Sequence, residues 1–306
     1  MAAPPACHLS IICCLYQRED LTRRFVEHLP GTVDPVGVPY EVVLVDDGST
    51  DGTHGLLDGL RGRPGFQVLP NPDNRGFAYR ANQGAKAARG RHLLFINNDV
   101  ELAAGWLEPM LALADDPSPW VPGRRRARLG CIGNVQRQPG TGRVDHAGVA
   151  FNPRGTPVHA GQGLKAGPRG RASDWFAVSA ACLLVERELF LQHHGFDERY
   201  RNGFEDIDFC LRLALRNHVH LVAHASVIGH WVSQSPGRKD AQAESANATR
   251  FRAAWEPWLP ALARIDRARL WLRTRPLADR LVDPWRTLNA WSQLKMNEDP
   301  WARPDY

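Results

Sequence analysis

The sequence predicts an α/β fold with a mixed, mainly parallel central sheet flanked by helices. Residues 40–45 form a short apolar run that ends in Asp46 and Asp47, and residues 92–96 form another that ends in Asn97, Asn98 and Asp99. Residues 21–28 and 78–88 have helical spacing, so strands and helices alternate as in βαβ units. In such a sheet, ligands bind where the strands reach their carboxyl ends. We therefore expect a site built around these polar side chains.

The other elements follow in chain order. Residues 9–15 are a short apolar run that leads into polar residues, which predicts a first strand and not a signal peptide. Residues 124–168 are rich in Gly, Pro and Arg, which is typical of loops and short antiparallel strands. Further on we expect a strand ending at Val185, a helix from Glu186, an acidic helix around Asp206 and a strand near Leu221. A helical tail is expected after residue 255.

The bulk composition is that of a globular protein. The 306 residues are 43% hydrophobic and 23% charged, which is enough for one large domain or two small ones and excludes a fibrous or disordered chain. The six cysteines form no Cys-x-x-Cys pair and lie mostly in apolar runs, as expected for reduced, buried thiols of a cytosolic protein. No apolar stretch approaches the ~20 residues of a spanning helix.

The segment 203–213 is the most distinctive acidic feature. Glu205, Asp206 and Asp208 occupy three of four successive positions at the start of a run with helical apolar spacing. The helix dipole tolerates carboxylates at this end. A carboxylate that faces a pocket has a raised pKa and can act as a base. These side chains must therefore face either water or a substrate.

In their order and spacing, these segments resemble the inverting family-two glycosyltransferases of the GT-A fold. The resemblance runs from about residue 9 to about residue 255. It is carried by residues 16–18, 45–51, 74–78 with 82–84, 97–99, 174–185, 195–198, 205–208 and 230. It implies one GT-A (Rossmann-like) domain over residues 1–255, with residues 9–100 as the nucleotide-binding half and 101–255 as the acceptor half. Residues 256–306 are then a Trp- and Arg-rich helical tail.

The resemblance implies a divalent metal, Mn²⁺ or Mg²⁺. Asp99 is the expected ligand, and His230 matches a histidine that completes the coordination in relatives. The family motif is Asp-x-Asp or a variant ending in Asp, but here Asn97 takes the first position. Asp99 is thus the one charged ligand in the motif. An imidazole ligand favours Mn²⁺ over Mg²⁺.

The resemblance also implies the nucleotide contacts. Asp47 is expected to meet the base, Asp46 to hold its loop and Asn98 to contact the ribose. Tyr16 is expected to lie against the nucleoside, and Arg75 to approach the base or the diphosphate. For Asp46 and Asp51, turn formation and helix capping are an equally good interpretation.

For catalysis, the resemblance implies that Asp206 is the base, because an acceptor hydroxyl must lose its proton as it attacks the anomeric carbon. Glu205 would orient the acceptor or the base, and Asp208 would face solvent or cap the helix. Direct displacement inverts the anomeric configuration. His146 and His159 flank a Gly-rich loop and are candidates for a sugar or acceptor contact.

The tail has two interpretations. Six of the ten tryptophans lie between residues 255 and 301, interleaved with arginines. A helical appendage packed on the catalytic domain is one interpretation, and a membrane-interface segment is the other, favoured by the net charge of +5. The cluster Arg124, Arg125, Arg126 and Arg128 is expected in solvent, facing an acidic surface. No nucleic-acid recognition motif is present.

The predicted function is that of a metal-dependent inverting glycosyltransferase using a UDP- or dTDP-linked sugar donor. The acceptor would be a glycan, a lipid-linked molecule or a protein in bacterial surface-glycan or glycoconjugate assembly. The expected location is the cytoplasm, with peripheral contact at the inner face of the membrane. The alternatives are a nucleotidyltransferase, which normally has a Gly-rich, Lys-containing loop after the first strand, and a non-catalytic sugar-binding module.

Overall fold

The computed structural model describes residues 7–117, 127–231, 241–274 and 281–296. Its centre is a ten-stranded mixed sheet. The first four long strands are parallel and lie in the order β3, β2, β1, β4. Their bounds are β1 Cys7–Leu15, β2 Tyr40–Asp46, β3 Phe66–Leu69 and β4 Gly90–Ile96. Leu15 pairs with Asp46 at the end of β2, so the loops after β1 and β2 leave the sheet side by side.

Helices cover both faces of this half of the sheet. Helices α1 (Glu19–Val33) and α2 (Thr53–Leu60) pack on one face, and α3 (Phe77–Ala87) packs on the other. A short 3₁₀ turn, Asp34–Val36, follows α1. Alternate residues of β1 enter the two cores: Ile11 meets the α1 side and Ile12 the α3 side. This alternation is the period of a strand buried on both faces.

The second half extends the sheet beyond β4. Strand β11 (Cys182–Glu186) is antiparallel to β4, and β6 (Arg128–Arg137), β12 (His218–His230) and β10 (Ala172–Trp175) follow in that order. The remaining elements are β5 (Val100–Glu101), α4 (Glu108–Asp115), β7 (Val144–His146), β8 (Val149–Phe151), β9 (Pro157–His159), α5 (Arg187–Gln192) and α6 (Glu205–Ala214). The parallel strands are thus concentrated in the first half, and antiparallel pairs dominate the second.

The C-terminal helices are α7 (Ala241–Trp255), α8 (Leu259–Thr274) and α9 (Pro284–Met296). Helices α7 and α8 share a hydrophobic core with β8 and α6, formed by Phe151, Phe176, Tyr200, Leu211, Phe251, Trp255, Leu259, Leu262, Ala263 and Ile265. The backbone N–H of Phe151 donates to Asp266 of α8 at 2.9 Å. Among the described residues, no helix is both long and apolar enough to cross a bilayer.

Charged contacts also connect α8 to the sheet. Asp174 of β10 pairs with Arg269 at 2.8 Å and with Arg273 at 2.5 Å. Burial raises the pKa of Asp174, but the positive charges of the two guanidiniums together have the larger effect and hold this pKa well below its usual range. The predicted α/β architecture with flanking helices and a helical C-terminal segment is confirmed. Arg124, Arg125 and Arg126 lie outside the described residues, and Arg128 is exposed at the start of β6.

Candidate active site

The loop after β1 is fastened to the loop after β2. Gln17 donates from its backbone N–H to the Ser49 hydroxyl at 2.8 Å, and its side-chain amide donates to the Thr50 hydroxyl at 2.9 Å. Gln17 and Arg18 both have positive φ, 56° and 59°. Such a conformation costs energy for residues other than glycine, so the cross-loop bonds stabilise it. Half-buried Tyr16 begins this strained loop and is therefore held at the carboxyl edge of the sheet.

Asp47 fastens a second loop, the one that precedes α3. Its Oδ1 accepts from the backbone N–H of Arg75 and from Nε of Arg80, both at 2.7 Å, and its Oδ2 accepts from the N–H of Gly76 at 2.9 Å. Arg80 is 2% exposed and also pairs with Asp73 at 2.8 Å. Arg80 was not among the residues predicted from the sequence. The available signal was an arginine at a buried position of α3, next to Ala81.

The neighbouring aspartates shape the turns. Asp46 is fully buried, accepts from the N–H of Ser49 at 3.1 Å and lies 3.1 Å from Nδ1 of His54. Asp51 accepts from the N–H groups of Glu19 and Thr53, each at 3.0 Å, at the starts of α1 and α2. The structure therefore places Asp46 in its loop and Asp51 at two helix ends, as turn chemistry predicts.

Two further nucleotide candidates lie at the same edge. Arg75 is exposed, and its guanidinium lies 3.6 Å from the centre of the Tyr79 ring, which orients it at the rim. The side-chain amide of Asn98 is buried and donates to the Thr22 hydroxyl of α1 at 2.9 Å. The Arg75 guanidinium is thus exposed at the rim, whereas the Asn98 amide has a packing role, and the ligand contact of Arg75 stays a prediction. The ribose contact of Asn98 stays a prediction.

The structure brings Asp99 and His230 together. Strand β5, which starts immediately after Asp99, pairs with the end of β12, and the N–H of Trp231 donates to the Asp99 carbonyl at 2.9 Å. As a result Nε2 of His230 lies 3.3 Å from Oδ1 of Asp99, and both side chains are buried. Adjacent ligands of an octahedral ion, each bonded at ~2.1 Å, are about 3 Å apart. The pair therefore fits two neighbouring positions of one divalent cation.

A second carboxylate stands on the other side of His230. Oδ2 of buried Asp145 lies 3.8 Å from Nδ1 of His230 and 3.9 Å from Nδ1 of His159. Burial raises the pKa of Asp145, but the two imidazoles prevail and lower it. The ring of His146 lies edge-on to that of His159, 4.9 Å away, and burial lowers the pKa of His146 well below its usual value. The sequence analysis selected the two neighbouring histidines but missed Asp145.

Asp206 is held by the backbone beside residues 97–99. Its Oδ2 accepts from the N–H of Ala180 at 2.9 Å, and its Oδ1 accepts from the N–H of Ile207 at 2.8 Å. Ala181, the residue after Ala180, accepts at its carbonyl oxygen from the N–H of Asn97 at 3.1 Å. Burial raises the pKa of Asp206, which suits a general base. Glu205, its neighbour, is buried.

The expectation that Asp208 faces solvent or caps its helix is wrong. Asp208 is buried between α6 and α7, where its Oδ1 accepts from the indole N–H of Trp255 at 3.0 Å and its Oδ2 from Nε of Arg212 at 2.8 Å. A buried indole N–H needs an acceptor. The carboxylate therefore ties α7 to the helix of Asp206. On the same side of α7, Phe251 is buried and the side-chain amide of Asn247 donates to the carbonyl of Asn202 at 2.9 Å.

One other cluster has the residue types of a metal site. Ligand atoms of Cys131, Cys210 and His220, all buried, lie within 4.8 Å of one another. However, Nδ1 of His220 accepts from the N–H of Cys131, and Nε2 faces the carbonyl of Cys210, both at 2.9 Å. Both ring nitrogens therefore bond to the backbone and have no lone pair for a metal. The cluster supports the junction of β6, β12 and α6. All six cysteines are free thiols.

The fold and the site together define a glycosyltransferase of the GT-A type. The sequence model described as glycosyl transferase family 2 matches residues 10–164, about half of the chain. The chain belongs to this family.

Relatives and solved structures agree with that assignment. The O-antigen biosynthesis protein RfbC of Myxococcus xanthus is 30% identical over 264 residues, which are 82% of this chain and 19% of RfbC. The N-acetylglucosaminyl-diphospho-decaprenol L-rhamnosyltransferase of Mycobacterium tuberculosis is 29% identical over 66% of this chain and 70% of its own. GalNAc-T7, solved with UDP, GalNAc and Mn²⁺, has a TM-score of 0.65 at 16% identity over 93% of this chain and 54% of its own, which shows the fold alone. The chain spans about a fifth of the length of RfbC.

Proposed function

We propose that the chain is a metal-dependent inverting glycosyltransferase that moves a sugar from a UDP- or dTDP-linked donor to an acceptor hydroxyl. One observation carries the proposal. The Asp99–His230 pair and the half-buried Asp206 carboxylate lie at the same edge of the sheet, linked through the backbone of Asn97, Ala180 and Ala181. A donor phosphate and an acceptor hydroxyl would thus find a cation site and a base close together.

Asp99 and His230 would hold the cation. When bound, Mn²⁺ or Mg²⁺ neutralises the charge that develops on the diphosphate as the bond to the sugar breaks. The Mn²⁺ in the GalNAc-T7 structure supports this role, and the mixed oxygen and nitrogen ligand set favours Mn²⁺. Asp145 lies behind His230 on the side away from Asp99. The negative charge of a carboxylate on that side favours a proton on Nδ1, which leaves Nε2 unprotonated for the cation.

The bonds of Asp47 support a pyrimidine donor. A carboxylate offers about four acceptor sites, and the N–H groups of Arg75, Gly76 and Arg80 take three of them. One site is left, on Oδ2. Uracil and thymine each present one imide N–H, whereas guanine presents two adjacent donors. A single free acceptor therefore suits UDP or dTDP, with Tyr16 against the nucleoside and the exposed guanidinium of Arg75 beside the base or diphosphate.

Asp206 would act on the acceptor. Its carboxylate removes the hydroxyl proton as that oxygen attacks the anomeric carbon, and the bond from this carbon to the phosphate oxygen breaks with its electron pair going to the nucleotide diphosphate. Attack on the face opposite the leaving group inverts the configuration. The raised pKa makes Asp206 a stronger base than an ordinary carboxylate. Buried Glu205 would orient the acceptor or the base.

The setting we propose is bacterial surface-glycan or glycoconjugate assembly. RfbC is named as an O-antigen biosynthesis protein, and the mycobacterial relative is named for a diphospho-decaprenol-linked sugar. A glycan or lipid-linked acceptor is therefore more consistent with these relatives than a protein acceptor. We propose that the enzyme works in the cytoplasm, with peripheral contact at the inner face of the membrane, where a lipid-linked acceptor would be within reach.

A donor screen tests the proposal. Thermal shifts with UDP, dTDP and GDP, each with Mn²⁺ and with chelator, should show stabilisation by the two pyrimidine nucleotides that depends on the metal, because a ligand that binds only the folded state raises the melting temperature. Turnover of the preferred sugar nucleotide, followed by NMR, should release nucleoside diphosphate and invert the anomeric signal. Release of pyrophosphate from a nucleoside triphosphate and a sugar phosphate, in a parallel assay, would identify a nucleotidyltransferase instead. Stabilisation by GDP alone would refute the pyrimidine assignment.

A further inference from the structure

Helix α9 has two unlike faces. One face packs on α8: Ala290 is buried against Ala268 and Leu272, and Thr287 accepts from the indole N–H of Trp271 at 3.1 Å. The side chains on the other face and in the turn before it have few neighbours. Their exposed fractions are 70% for Leu281, 82% for Trp285, 60% for Leu288 and 53% for Trp291. We call these four side chains the α9 apolar face.

The spacing of the α9 apolar face is that of one helical stripe. Within α9, positions 285, 288 and 291 recur every three residues, so they lie along the same side, and Leu281 precedes them before the helix begins at Pro284. Large apolar side chains exposed next to one another mark an interaction surface, whereas single exposed ones are ordinary. Val282, beside the stripe, is 86% exposed and enlarges it. The composition, with two tryptophans, matches side chains that sit between a hydrocarbon layer and water.

In the part of α8 and α9 that the structure describes, the exposed charged side chains are predominantly basic. The sequence of α9 contains Arg286 and Lys295 and no acidic residue. Arg264 and Arg267 are exposed on α8. In the part of α8 and α9 that the structure describes, Asp266 is buried and paired, and Asp283 accepts from the backbone N–H of Arg286 at 2.9 Å, where it caps the helix. The surface therefore complements an anionic partner.

We propose that the α9 apolar face binds the surface of an anionic lipid bilayer, with α9 lying in the interface and the arginines of α8 and α9 near the lipid phosphates. Tryptophans supply the apolar contact and arginines the attraction to negative lipid. A second copy of the chain is a poorer partner, because a symmetric dimer through this face would bring the same arginines together. The inference assigns a surface to the membrane contact of the proposed function, and its test does not depend on glycosyl transfer.

Vesicle flotation of the whole chain tests the proposal. Vesicles would contain phosphatidylcholine alone or phosphatidylcholine with 40% phosphatidylglycerol, about the share needed for a strongly anionic surface. The apolar variant is Trp285→Gln, Leu288→Gln and Trp291→Gln. The matched control is Leu164→Gln with Leu215→Gln, which removes two partly exposed leucines elsewhere. Wild type and control should float with anionic vesicles, and the apolar variant should bind at least about tenfold less.

A charge variant separates the two contributions. Arg264→Gln with Arg267→Gln and Arg286→Gln should lower binding to anionic vesicles by up to about 10²-fold, since each basic side chain near the surface contributes about 1 kcal/mol. Its weak binding to neutral vesicles should not change. Melting temperatures and the UDP-induced shift of all variants should match wild type, which separates this proposal from the proposed function.

Three results would overturn the inference. They are no flotation of wild type, equal flotation of wild type and the apolar variant, or a wild-type dimer in sedimentation velocity that the apolar variant converts to monomer. The last would assign the α9 apolar face to self-association.

Discussion

The substitution Arg80→Met would leave the Asp47 carboxylate buried without the guanidinium that lies 2.7 Å from it. Removing one partner of a buried ion pair destabilises by about 3–5 kcal/mol. Asp47 keeps two backbone donors, from Arg75 and Gly76, so we expect the lower end, about 3 kcal/mol. At roughly 2–4 °C per kcal/mol for a large domain, the melting temperature should fall by roughly 6–12 °C.

The control is the same substitution at an exposed ion pair. Arg61 pairs with Asp58 at 3.0 Å with both side chains more than half exposed, so Arg61→Met should cost at most about 1 kcal/mol. Both variants would be measured by calorimetry and urea unfolding. The double variant Asp47→Asn with Arg80→Met should lose less than the sum of the single variants, because no buried charge is then left uncompensated. Equal losses for Arg80→Met and Arg61→Met would refute the argument.

Three further predictions concern the site and its support. Asp99→Ala or His230→Ala should abolish Mn²⁺-dependent UDP binding in calorimetry while leaving the fold intact by circular dichroism, and full activity in chelator would contradict the metal assignment. Asp206→Asn should lower the turnover rate by ~10² or more with donor affinity near wild type, and a collapse of donor affinity would instead make Asp206 a binding residue. Burial raises the pKa of Asp266 to about 6. The stabilising contribution of this carboxyl to the free energy of unfolding is therefore fully present below the unfolded-state pKa near 4 and is lost as pH rises through 6. Relative to wild type, the free energy of unfolding of Asp266→Asn should therefore increase by roughly 3 kcal/mol between pH 4 and pH 7. Urea unfolding with no such trend would refute the raised pKa of Asp266.

The sequence predicted the features that local pattern determines. Apolar runs ending in acidic residues predicted β2, β4 and the edge where the candidate site lies, and helical spacing predicted α1 and α3. Strand β5 has two residues and exists because the end of β12 pairs with it. An element that short has no pattern of its own, so only the tertiary structure reveals it.

The residues that were missed or misassigned share one physical cause. Arg80, Asp145 and Asp208 act through partners 33, 85 and 47 positions away in sequence. Single-sequence patterns contain no information about such pairings. Asp208 was misassigned because an acid in the first turn of a helix usually faces water, and the acceptor need of the Trp255 indole appears only when α7 packs on α6.

The hydrogen bond from Asn97 to Ala181 has a consequence for how this site can diversify. It extends the antiparallel register in which Ile96 pairs with Cys182, so residues 97–99 directly follow β4 and the Ala180 amide that holds Asp206 lies just before β11, its neighbour in the same rigid ladder. If the pairing register of β11 against β4 shifted by one residue, every side chain of β11 would point to the opposite face of the sheet, where it would not fit the core. If the proposed function holds, the distance between the cation site and the base is therefore set by the sheet and not by the loops. Related proteins could therefore change the residues that contact the nucleobase or the acceptor, and with them the substrate, while the sheet keeps the distance between the cation site and the catalytic carboxylate.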